Sequence, residues 1–174
     1  MRVVGGSARG RRLSAPPGRQ TRPTSDRVRE AVFNMLESLG AVRDAVVADL
    51  FAGTGAMGIE ALSRGAASAV FVDDDPVAVR TIRANVGQTG LNGAEVVRDD
   101  VLRWVEHAGP VDLAVIDPPY AFDRWPELLA RLDADVAVLE SDRPVEPGDG
   151  WEVLKEKRYG GTVVVLARRK KGGG

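Results

Sequence analysis

The stretch Asp117-Pro118-Pro119-Tyr120 combines one carboxylate, two rigid imino residues and one aromatic ring. It follows the apolar run 111–116, which is typical of a buried strand, so we expect Asp117 at a strand's carboxyl end. Two consecutive prolines fix φ and remove two backbone donors, so the chain leaves the ladder and its carbonyls point outward. Such acceptors beside an aromatic ring suit a planar group that carries an amine, such as a nucleobase. The alternative is a proline-rich turn that only caps the strand.

A second stretch, DLFAGTGAMG beginning at Asp49, joins a predicted strand to a predicted helix. Its glycines Gly53, Gly55 and Gly58 spell G-x-G-x-x-G, and Asp73 follows twenty residues after the first, which formally matches the dinucleotide fingerprint. Asp49 argues against a dinucleotide, because a carboxylate beside the glycines repels a pyrophosphate. S-adenosylmethionine has no phosphate and carries an ammonium and a sulfonium, which a carboxylate attracts. The sequence therefore favours S-adenosylmethionine over NAD.

In this binding mode the amides of Gly53 and Gly55 meet the methionine carboxylate, and Asp73 accepts hydrogen bonds from the ribose hydroxyls. Asp99 or Asp100, after the third predicted strand, is placed to accept from the adenine amino group, and we assign this role to Asp100. Helix capping is the alternative role for the acids before Pro76 and the only role we expect for Asp75. The residues expected to hold the cofactor are Asp49, Phe51, Gly53, Gly55, Asp73, Asp100, Val101 and Asp117.

Composition excludes several kinds of site. The 174 residues contain no cysteine, which removes disulfides, thiolate metal sites and cysteine nucleophiles. The single histidine, His107, leaves no histidine-rich metal cluster and no obvious catalytic triad. No stretch approaches the roughly 20 apolar residues of a membrane span. We expect a monomeric, soluble, cytoplasmic protein of one domain, without a metal and without a membrane partner.

The net charge of -1 conceals two basic ends. Eight arginines face two acidic residues in the range 1–30, and seven basic residues face one acidic residue in the range 155–174. Such ends indicate a polyanion partner, and arginine favours bidentate contacts with phosphates and bases. The alternative for each end is a solvated basic tail. The residues expected to contact RNA are Arg9, Arg11, Arg12, Arg22 and Arg27.

Periodicity predicts the elements that position these residues. Residues 1–23 suggest a small exposed hairpin, a basic arm without a core of its own, and residues 24–174 form the main domain. A helix begins after Thr24 or Ser25 and stops at Gly40. Further on, strands and helices alternate as in parallel βαβ units, which bind ligands at the strands' carboxyl ends. The predicted strands are 46–50, 69–72, 95–98, 111–116, 136–139, 151–158 and 162–167, and the later helices are 57–64, 76–88, 101–107 and 125–132.

Taken together, the run from Asp49 to Ala66, the strand end at Asp73, the pair Asp99-Asp100 and the Asp117 motif resemble class I S-adenosylmethionine-dependent methyltransferases. More narrowly, three further segments are similar to the RsmD family, whose members methylate the exocyclic N2 of a guanine in small-subunit ribosomal RNA. These segments are GGSARGRRL from Gly5, RPTSDRVRE from Arg22 and VLES from Val138, so the resemblance covers nearly the whole chain.

The resemblance implies a Rossmann-like α/β fold with helices on both faces of a seven-stranded, mostly parallel sheet of order 3-2-1-4-5-7-6, in which strand 7 is antiparallel. It also implies S-adenosylmethionine as methyl donor and 16S ribosomal RNA as substrate, either free or within an assembly intermediate of the small subunit. Independently, the last two predicted strands are joined at Tyr159-Gly160-Gly161 and so form a predicted hairpin, which adds an antiparallel edge to a parallel sheet. This hairpin agrees with the antiparallel strand.

For such a reaction we expect Asp117, Pro118 and Tyr120 to be the catalytic residues. Hydrogen bonds from the amine to Asp117 and to the Pro118 carbonyl draw the nitrogen lone pair out of conjugation, and Tyr120 stacks under the base. Either Asp117 or bulk water collects the released proton. Phe122 or Trp125 shapes the pocket wall, with core packing as the alternative.

Other functions present similar chemistry. Adenine N6 in DNA or RNA and the amide of a protein glutamine are also planar amines. An enzyme that acts on DNA needs an additional segment to flip and read a base, and the sequence has no room for such a segment between Asp73 and Asp117. A glutamine enzyme gives no reason for arginine-rich ends. An NAD-dependent dehydrogenase stays open, whereas an RNA-binding module without catalysis is disfavoured because all the acids expected around a cofactor are present.

Overall fold

Strands and helices alternate through most of this chain in the computed structural model, which describes residues 1–16 and 25–172. Seven strands and five helices lie in those residues. The strands are β1 (Val46–Leu50), β2 (Ser68–Asp73), β3 (Ala94–Arg98), β4 (Val111–Ile116), β5 (Ala134–Ser141), β6 (Trp151–Tyr159) and β7 (Thr162–Arg169). The helices are α1 (Asp26–Ser38), α2 (Ala56–Ser63), α3 (Pro76–Thr89), α4 (Val101–His107) and α5 (Trp125–Arg131).

The described strands form one sheet of order β3-β2-β1-β4-β5-β7-β6, which confirms the predicted topology. Strands β1 to β5 pair in parallel, while β7 runs antiparallel to both β5 and β6. The register pairs Leu50 with Ile116 and Ile116 with Leu139, so three central strands end side by side. We call this end of the sheet the carboxyl edge, and it is where a parallel sheet of this type binds ligands.

Predicted caps and turns define the helix ends. Ser25 accepts a hydrogen bond from the Val28 amide at 3.2 Å and so begins α1. Asp75 does the same for α3 through the Val77 amide at 2.9 Å, with Pro76 in the first turn, where its fixed φ suits a helix. Both caps agree with the sequence prediction.

The sheet is covered on both faces, which explains why its central strands are apolar throughout. Helices α1 and α2, the side chain of Ile82 from α3 and residues of the amino-terminal hairpin pack on one face. Helices α4 and α5 pack on the other. Successive residues of β4 alternate between the two cores, with Val115 in the first and Ile116 in the second. Each such fully buried aliphatic side chain contributes roughly 1.5–3 kcal/mol to folding.

The amino-terminal hairpin is docked on the domain rather than exposed as the sequence suggested. Arg2 and Arg12 form an antiparallel bridge, and the Gly10 amide donates to the Val3 carbonyl at 2.8 Å. Val3 and Leu13 are buried in the core formed with α1 and α2. The hairpin is too small to form a core of its own, so its apolar side chains pack into the core that α1 and α2 form. Residues 17–23 of the predicted arm lie outside the described residues.

The docking depends on the last turn of α2. Glu60 accepts hydrogen bonds from the amides of Val4 at 2.9 Å and Gly5 at 2.8 Å. The Ser63 carbonyl accepts from the Ser7 amide at 2.7 Å. Gly6 has φ +77°, and a Cβ there would lie 1.9 Å from that same Ser63 carbonyl oxygen. The backbone of Gly6 is therefore pressed against α2 so closely that a side chain cannot fit.

The carboxyl-terminal basic residues lie away from the carboxyl edge of the sheet. Arg168 pairs with Val136 near the start of β5, so residues 168–171 lie opposite the carboxyl edge. The guanidinium of Arg169 stacks over the Trp151 ring at 4.3 Å and serves packing. In residues 1–16 and 25–172, no helix is long and apolar enough to cross a membrane.

Candidate active site

Four carboxylates meet at the carboxyl edge. Asp49 lies near the end of β1, Asp73 ends β2, Asp117 follows β4 and Glu140 lies near the end of β5. Because Ile116 pairs with Leu139, Asp117 and Glu140 are neighbours across the sheet. Glu140 acts electrostatically on both Asp117 and Asp49, and Asp73 acts on Asp49. Three of the predicted acids, Asp49, Asp73 and Asp117, therefore lie at one place, and Glu140 joins them.

Asp49 is a buried acid held by residues 51–58, the loop that contains Gly53, Gly55 and Gly58 and that we call the glycine loop. Its side chain accepts a hydrogen bond from the Gly58 amide at 2.9 Å, and the residue is only 3% exposed. Burial is the largest cause that raises the pKa of Asp49, and together with the charges of Asp73 and Glu140, and against the opposing effect of the Gly58 hydrogen bond, it brings this pKa to about 8. The sequence alone predicts a permanent anion at Asp49. With a pKa of about 8, its carboxyl is mostly protonated at neutral pH, and a nearby cation would favour the ionised form.

Asp117 and Glu140 form a carboxyl pair. Burial raises the pKa of Asp117 well above its usual value, and the charge of Glu140 and the hydrogen bond between the two carboxyls raise it further. Glu140 is 2% exposed. A hydrogen bond between two carboxyl groups requires a proton on one of them, so the pair shares at least one proton. Glu140 was not among the predicted site residues, although an acid at the end of the apolar strand β5 is a signal of this kind.

The glycine loop shows why each glycine is needed. Gly53 has φ +60° and donates to the Asp73 carboxylate at 2.9 Å, so these two predicted cofactor ligands are in contact. Gly55 has φ +81° and begins α2, and its amide donates within the loop to the Ala52 carbonyl at 2.8 Å. A Cβ on Gly58 would lie 2.3 Å from the Phe71 ring, so that glycine permits close packing of α2 on β2.

Aromatic rings connect this loop to the segment after β4. Phe51 has φ +58°, which is strained for a residue with a side chain. Its ring meets Phe122 at a centroid distance of 5.2 Å, and Phe122 meets Trp125 at 5.5 Å. Trp125 packs in the core with α5, and Phe122 packs against that core while half-buried. Of the two residues predicted to shape the pocket wall, both therefore have the packing role given as the alternative.

The motif after β4 begins where the strand ends, as the apolar run before it predicted. The strand ends at Ile116, and the Phe122 amide donates to the Pro119 carbonyl at 2.9 Å to close a turn. Pro118 is buried, whereas Tyr120 is 45% exposed beside it. The motif thus presents an aromatic ring at the surface next to the half-buried Asp117.

Asp100 combines its predicted position with a structural role. Its carboxylate accepts from the Arg103 amide at 3.1 Å and caps α4, and the residue is exposed. Asp99 is paired with the Arg103 side chain at 3.0 Å. Val101 follows as a buried residue in the first turn of α4. The pair Asp100-Val101 therefore lies beyond β3, at the same edge as Asp73.

The arginines expected to contact RNA differ in their surroundings. Arg9, Arg11 and Arg12 on the hairpin and Arg27 on α1 are exposed, and Arg22 lies outside the described residues. Arg29, which contributes to the basic amino-terminal count, is fully buried and pairs with Glu60 at 3.1 Å. That arginine holds α1 to α2.

Asn85 on α3 links the hairpin to the glycine loop. Its side-chain amide donates to the carbonyls of Ser14 at 2.9 Å and Thr54 at 2.8 Å, and its oxygen accepts from the Ser14 amide. The residue is fully buried. Sequence reasoning missed it because all three contacts are with residues distant in the chain. Among residues 1–16 and 25–172, no group of three or more His, Cys, Asp or Glu side chains is arranged to hold a metal ion.

Known proteins resemble this chain over nearly its full length. The family model described as "Conserved hypothetical protein 95" matches residues 1–168. The YlbH protein of Bacillus subtilis is 37% identical, with 98% of this chain and 100% of that protein covered. The "Ribosomal RNA small subunit methyltransferase D" of Escherichia coli K12 is 33% identical, with 98% of this chain and 90% of that protein covered.

A solved structure agrees with the fold. The yhhF protein of Escherichia coli superimposes with a TM-score of 0.86 at 32% sequence identity, and the match covers 98% of each chain. Sequence and structure thus match over the hairpin, the glycine loop and the Asp117 motif alike. This chain belongs to the RsmD family, whose family model carries the description "Conserved hypothetical protein 95".

Proposed function

We propose that this protein transfers a methyl group from S-adenosylmethionine to the exocyclic N2 of a guanine in small-subunit ribosomal RNA. The observation that carries the proposal is the meeting of a glycine loop surrounded by carboxylates with the Asp117-Pro118-Pro119-Tyr120 motif at one edge of the sheet. The relatives named ribosomal RNA small subunit methyltransferase D support the class of substrate. The choice of guanine N2 comes from resemblance to the RsmD family.

The residues of the edge suit a cofactor with positive charges. The charged side chains that raise the pKa of Asp49 and Asp117 are carboxylates, which repel a pyrophosphate and attract an ammonium or sulfonium. A Cβ on Gly53 would have only the Phe51 carbonyl oxygen within 4 Å, so the backbone there is open to a ligand. When bound, S-adenosylmethionine supplies a methyl group activated by its sulfonium.

Each cofactor residue has a proposed contact. Asp49 faces the positive charge, Asp73 accepts from the ribose hydroxyls and Asp100 accepts from the adenine amino group. Gly53 and Gly55 give the loop the positive φ values that it needs. Phe51 and Val101 line the same region of the edge.

The Asp117 motif holds the target amine. Asp117 and the Pro118 carbonyl accept its hydrogen bonds, and the exposed ring of Tyr120 stacks under the base. Most of the rate enhancement comes from alignment of the amine with the methyl group and from exclusion of water. No covalent intermediate with the protein is needed.

The RNA approaches over the hairpin. Arg9, Arg11 and Arg12 are exposed on the hairpin, which also reaches the glycine loop through Asn85. With Arg27, and Arg22 by sequence alone, they provide guanidinium groups for phosphates. We retain residues 1–23 as the RNA-contacting arm and 24–174 as the methyltransferase domain. We further propose that the protein acts as a monomer in the cytoplasm, on RNA that is free or part of a small-subunit assembly intermediate.

Asp117→Ala tests the catalytic assignment. Methyl transfer to small-subunit ribosomal RNA should fall at least about a hundredfold, because the amine loses its anionic acceptor. The dissociation constant for S-adenosylhomocysteine, measured by calorimetry, should change by no more than about threefold, because the glycine loop is intact.

Asp123→Ala is the matched control, since Asp123 is an exposed carboxylate in the same loop. It should leave methyl transfer unchanged. Full activity of the Asp117→Ala protein would remove the catalytic role of Asp117. Binding of NAD and not S-adenosylhomocysteine by the wild-type protein would overturn the proposed cofactor.

A further inference from the structure

We infer that Glu140 is a positioning residue for methyl transfer. Its carboxyl group orients Asp117 toward the target amine, and the two carboxyl groups share a proton. The inference rests on the proposed function and deepens it. It assigns a role to a residue on β5 that lies outside the glycine loop and outside the Asp117 motif.

The strand register brings the two carboxyls together. Ile116 of β4 pairs with Leu139 of β5, so the residues that follow them, Asp117 and Glu140, are adjacent at the carboxyl edge. Their side chains hydrogen-bond to each other. Glu140 is 2% exposed and both of its strand neighbours continue the β5–β7 ladder, pairing with Val165 and Val163. The backbone on which Glu140 stands is therefore rigid, and the contact has little freedom to vary.

Further acidic side chains lie on β1 and β2, whereas β7 places Val164 opposite Glu140. Asp49 on β1 acts on Asp117, and Asp73 on β2 acts on Asp49. Burial of these carboxyls in the charged form costs stability, because each loses its hydration. Two adjacent carboxyls avoid the cost by sharing a proton, as in other carboxyl dyads.

This arrangement gives Glu140 a chemical role. With its proton, Glu140 donates a hydrogen bond to one oxygen of Asp117 and leaves the other oxygen, with the negative charge, to accept from the amine. The amine nitrogen then forms a bond to the methyl carbon, the carbon–sulfur bond breaks and its electron pair stays on sulfur. The methylated nitrogen loses one proton to Asp117. The pair then holds two protons, of which one passes to solvent when the products leave.

Two variants separate positioning from mere packing. Glu140→Gln retains a donor to Asp117 but cannot carry charge, so kcat should stay within about threefold of wild type. Glu140→Ala removes the donor, so kcat should fall at least about tenfold while the KM for S-adenosylmethionine changes little. Asp142→Asn is the control, because Asp142 lies just beyond β5 and pairs with Arg143 at 3.0 Å, away from the pair.

The pH profile of kcat supplies the second readout. The active pair holds one proton, with Asp117 ionised and Glu140 protonated, and the interaction between the two carboxyls keeps this proton on the pair to higher pH than on an ordinary carboxyl. Wild-type kcat should therefore fall at alkaline pH as Glu140 loses its proton. Glu140→Gln keeps its donor at every pH, so this alkaline limb should disappear, whereas Asp142→Asn should retain it. Should Glu140→Ala fail to fold, the nearly isosteric Gln variant carries this test.

A third readout uses the cofactor-free protein and does not depend on activity. Between about pH 4 and the raised pKa, the folded pair holds more protons than the unfolded chain, so stability falls as pH rises. The free energy of unfolding, measured with urea at several pH values, should therefore decrease with pH less steeply for Glu140→Gln than for wild type or Asp142→Asn. The inference would be overturned if Glu140→Gln had the wild-type pH dependence of stability and the wild-type pH profile of kcat. It would also be overturned if a folded Glu140→Ala protein had the wild-type kcat. In either case the proposed function stands as long as the wild-type protein methylates RNA. Absence of RNA methylation by wild type would instead reject the proposed function.

Discussion

Asp49 is a buried acid that would gain its charge on binding a cationic ligand, as proposed for S-adenosylmethionine. Its hydrogen bond to the Gly58 amide at 2.9 Å fixes it beneath the glycine loop, and burial raises its pKa to about 8. Without a cation the carboxyl is mostly neutral at physiological pH. Binding of a positive group therefore expels a proton, so affinity should depend on pH.

Asp49→Asn tests whether Asp49 favours binding of a cation and lowers the stability of the cofactor-free protein. The folded state holds the Asp49 proton up to about pH 8, whereas the unfolded chain releases it near the ordinary pKa of 3.8, so this group makes wild-type stability fall as pH rises through that window. Asparagine keeps the acceptor for Gly58 and has no such slope. We expect the variant to exceed wild type in free energy of unfolding by at least about 1 kcal/mol at pH 8, with a smaller difference near pH 4.

The same variant should bind S-adenosylhomocysteine at least about tenfold more weakly at pH 8, because the ammonium loses its counter-charge. Urea unfolding at several pH values and calorimetry measure the two effects. A variant that is less stable than wild type at pH 8, or that binds with wild-type affinity, would show that Asp49 is a structural residue.

Sequence reasoning found residues whose partners are set by local motifs and missed those whose partners are distant. Asp49, Gly53 and Asp73 belong to a loop and two strand ends whose spacing is visible in the chain. Glu140 and Asn85 are ordinary polar residues until the sheet places Asp117 beside the first and Ser14, 71 residues away, beside the second. Only the three-dimensional register reveals such contacts.

At the scale of elements, the amino-terminal hairpin is a module held by α2. Its two-stranded form was predictable from its glycines and short apolar segments. Its docking was not, because Gly5 contacts Glu60 at a separation of 55 residues and Ser63 at a separation of 58. Glu60 also binds Arg29 and Arg64 through ion pairs at 3.1 and 2.9 Å. One buried acid therefore joins the hairpin, α1 and α2.

Gly6→Ala tests whether docking of the hairpin matters for RNA. A Cβ at Gly6 would lie 1.9 Å from the Ser63 carbonyl oxygen, so the hairpin must shift on α2. We expect RNA methylation to fall at least about fivefold, mainly through KM for RNA, and stability to fall by about 1–3 kcal/mol. The dissociation constant for S-adenosylhomocysteine should stay within about threefold.

Gly10→Ala is the matched control. Gly10 also has a positive φ, +87°, but nothing lies within 4 Å of the position that a Cβ would take, so the substitution adds backbone strain without a clash. Equal losses of RNA methylation in the two variants would mean that strain in the hairpin, and not its seat on α2, determines RNA use. Wild-type activity in both would contradict a role for the hairpin.

At the scale of the whole molecule, the sheet decides which charges can act together. The alternation of strands and helices predicted the parallel core, and the resemblance to a known family supplied the strand order that the fold confirms. The net charge of -1 averages over regions that the sheet separates. Residues 168–171 lie at the edge opposite Asp117, whereas exposed Arg9, Arg11 and Arg12 lie on a hairpin linked to the glycine loop.

The central claim is that this edge delivers a methyl group to the N2 of a guanine. Purified protein should be incubated with S-adenosylmethionine and small-subunit ribosomal RNA, as free RNA and as assembling subunits, and the RNA digested to nucleosides for mass spectrometry. We predict N2-methylguanosine at a single position, absent with Asp117→Ala. Methyl groups on adenine N6, on protein only, or on neither substrate would contradict the account.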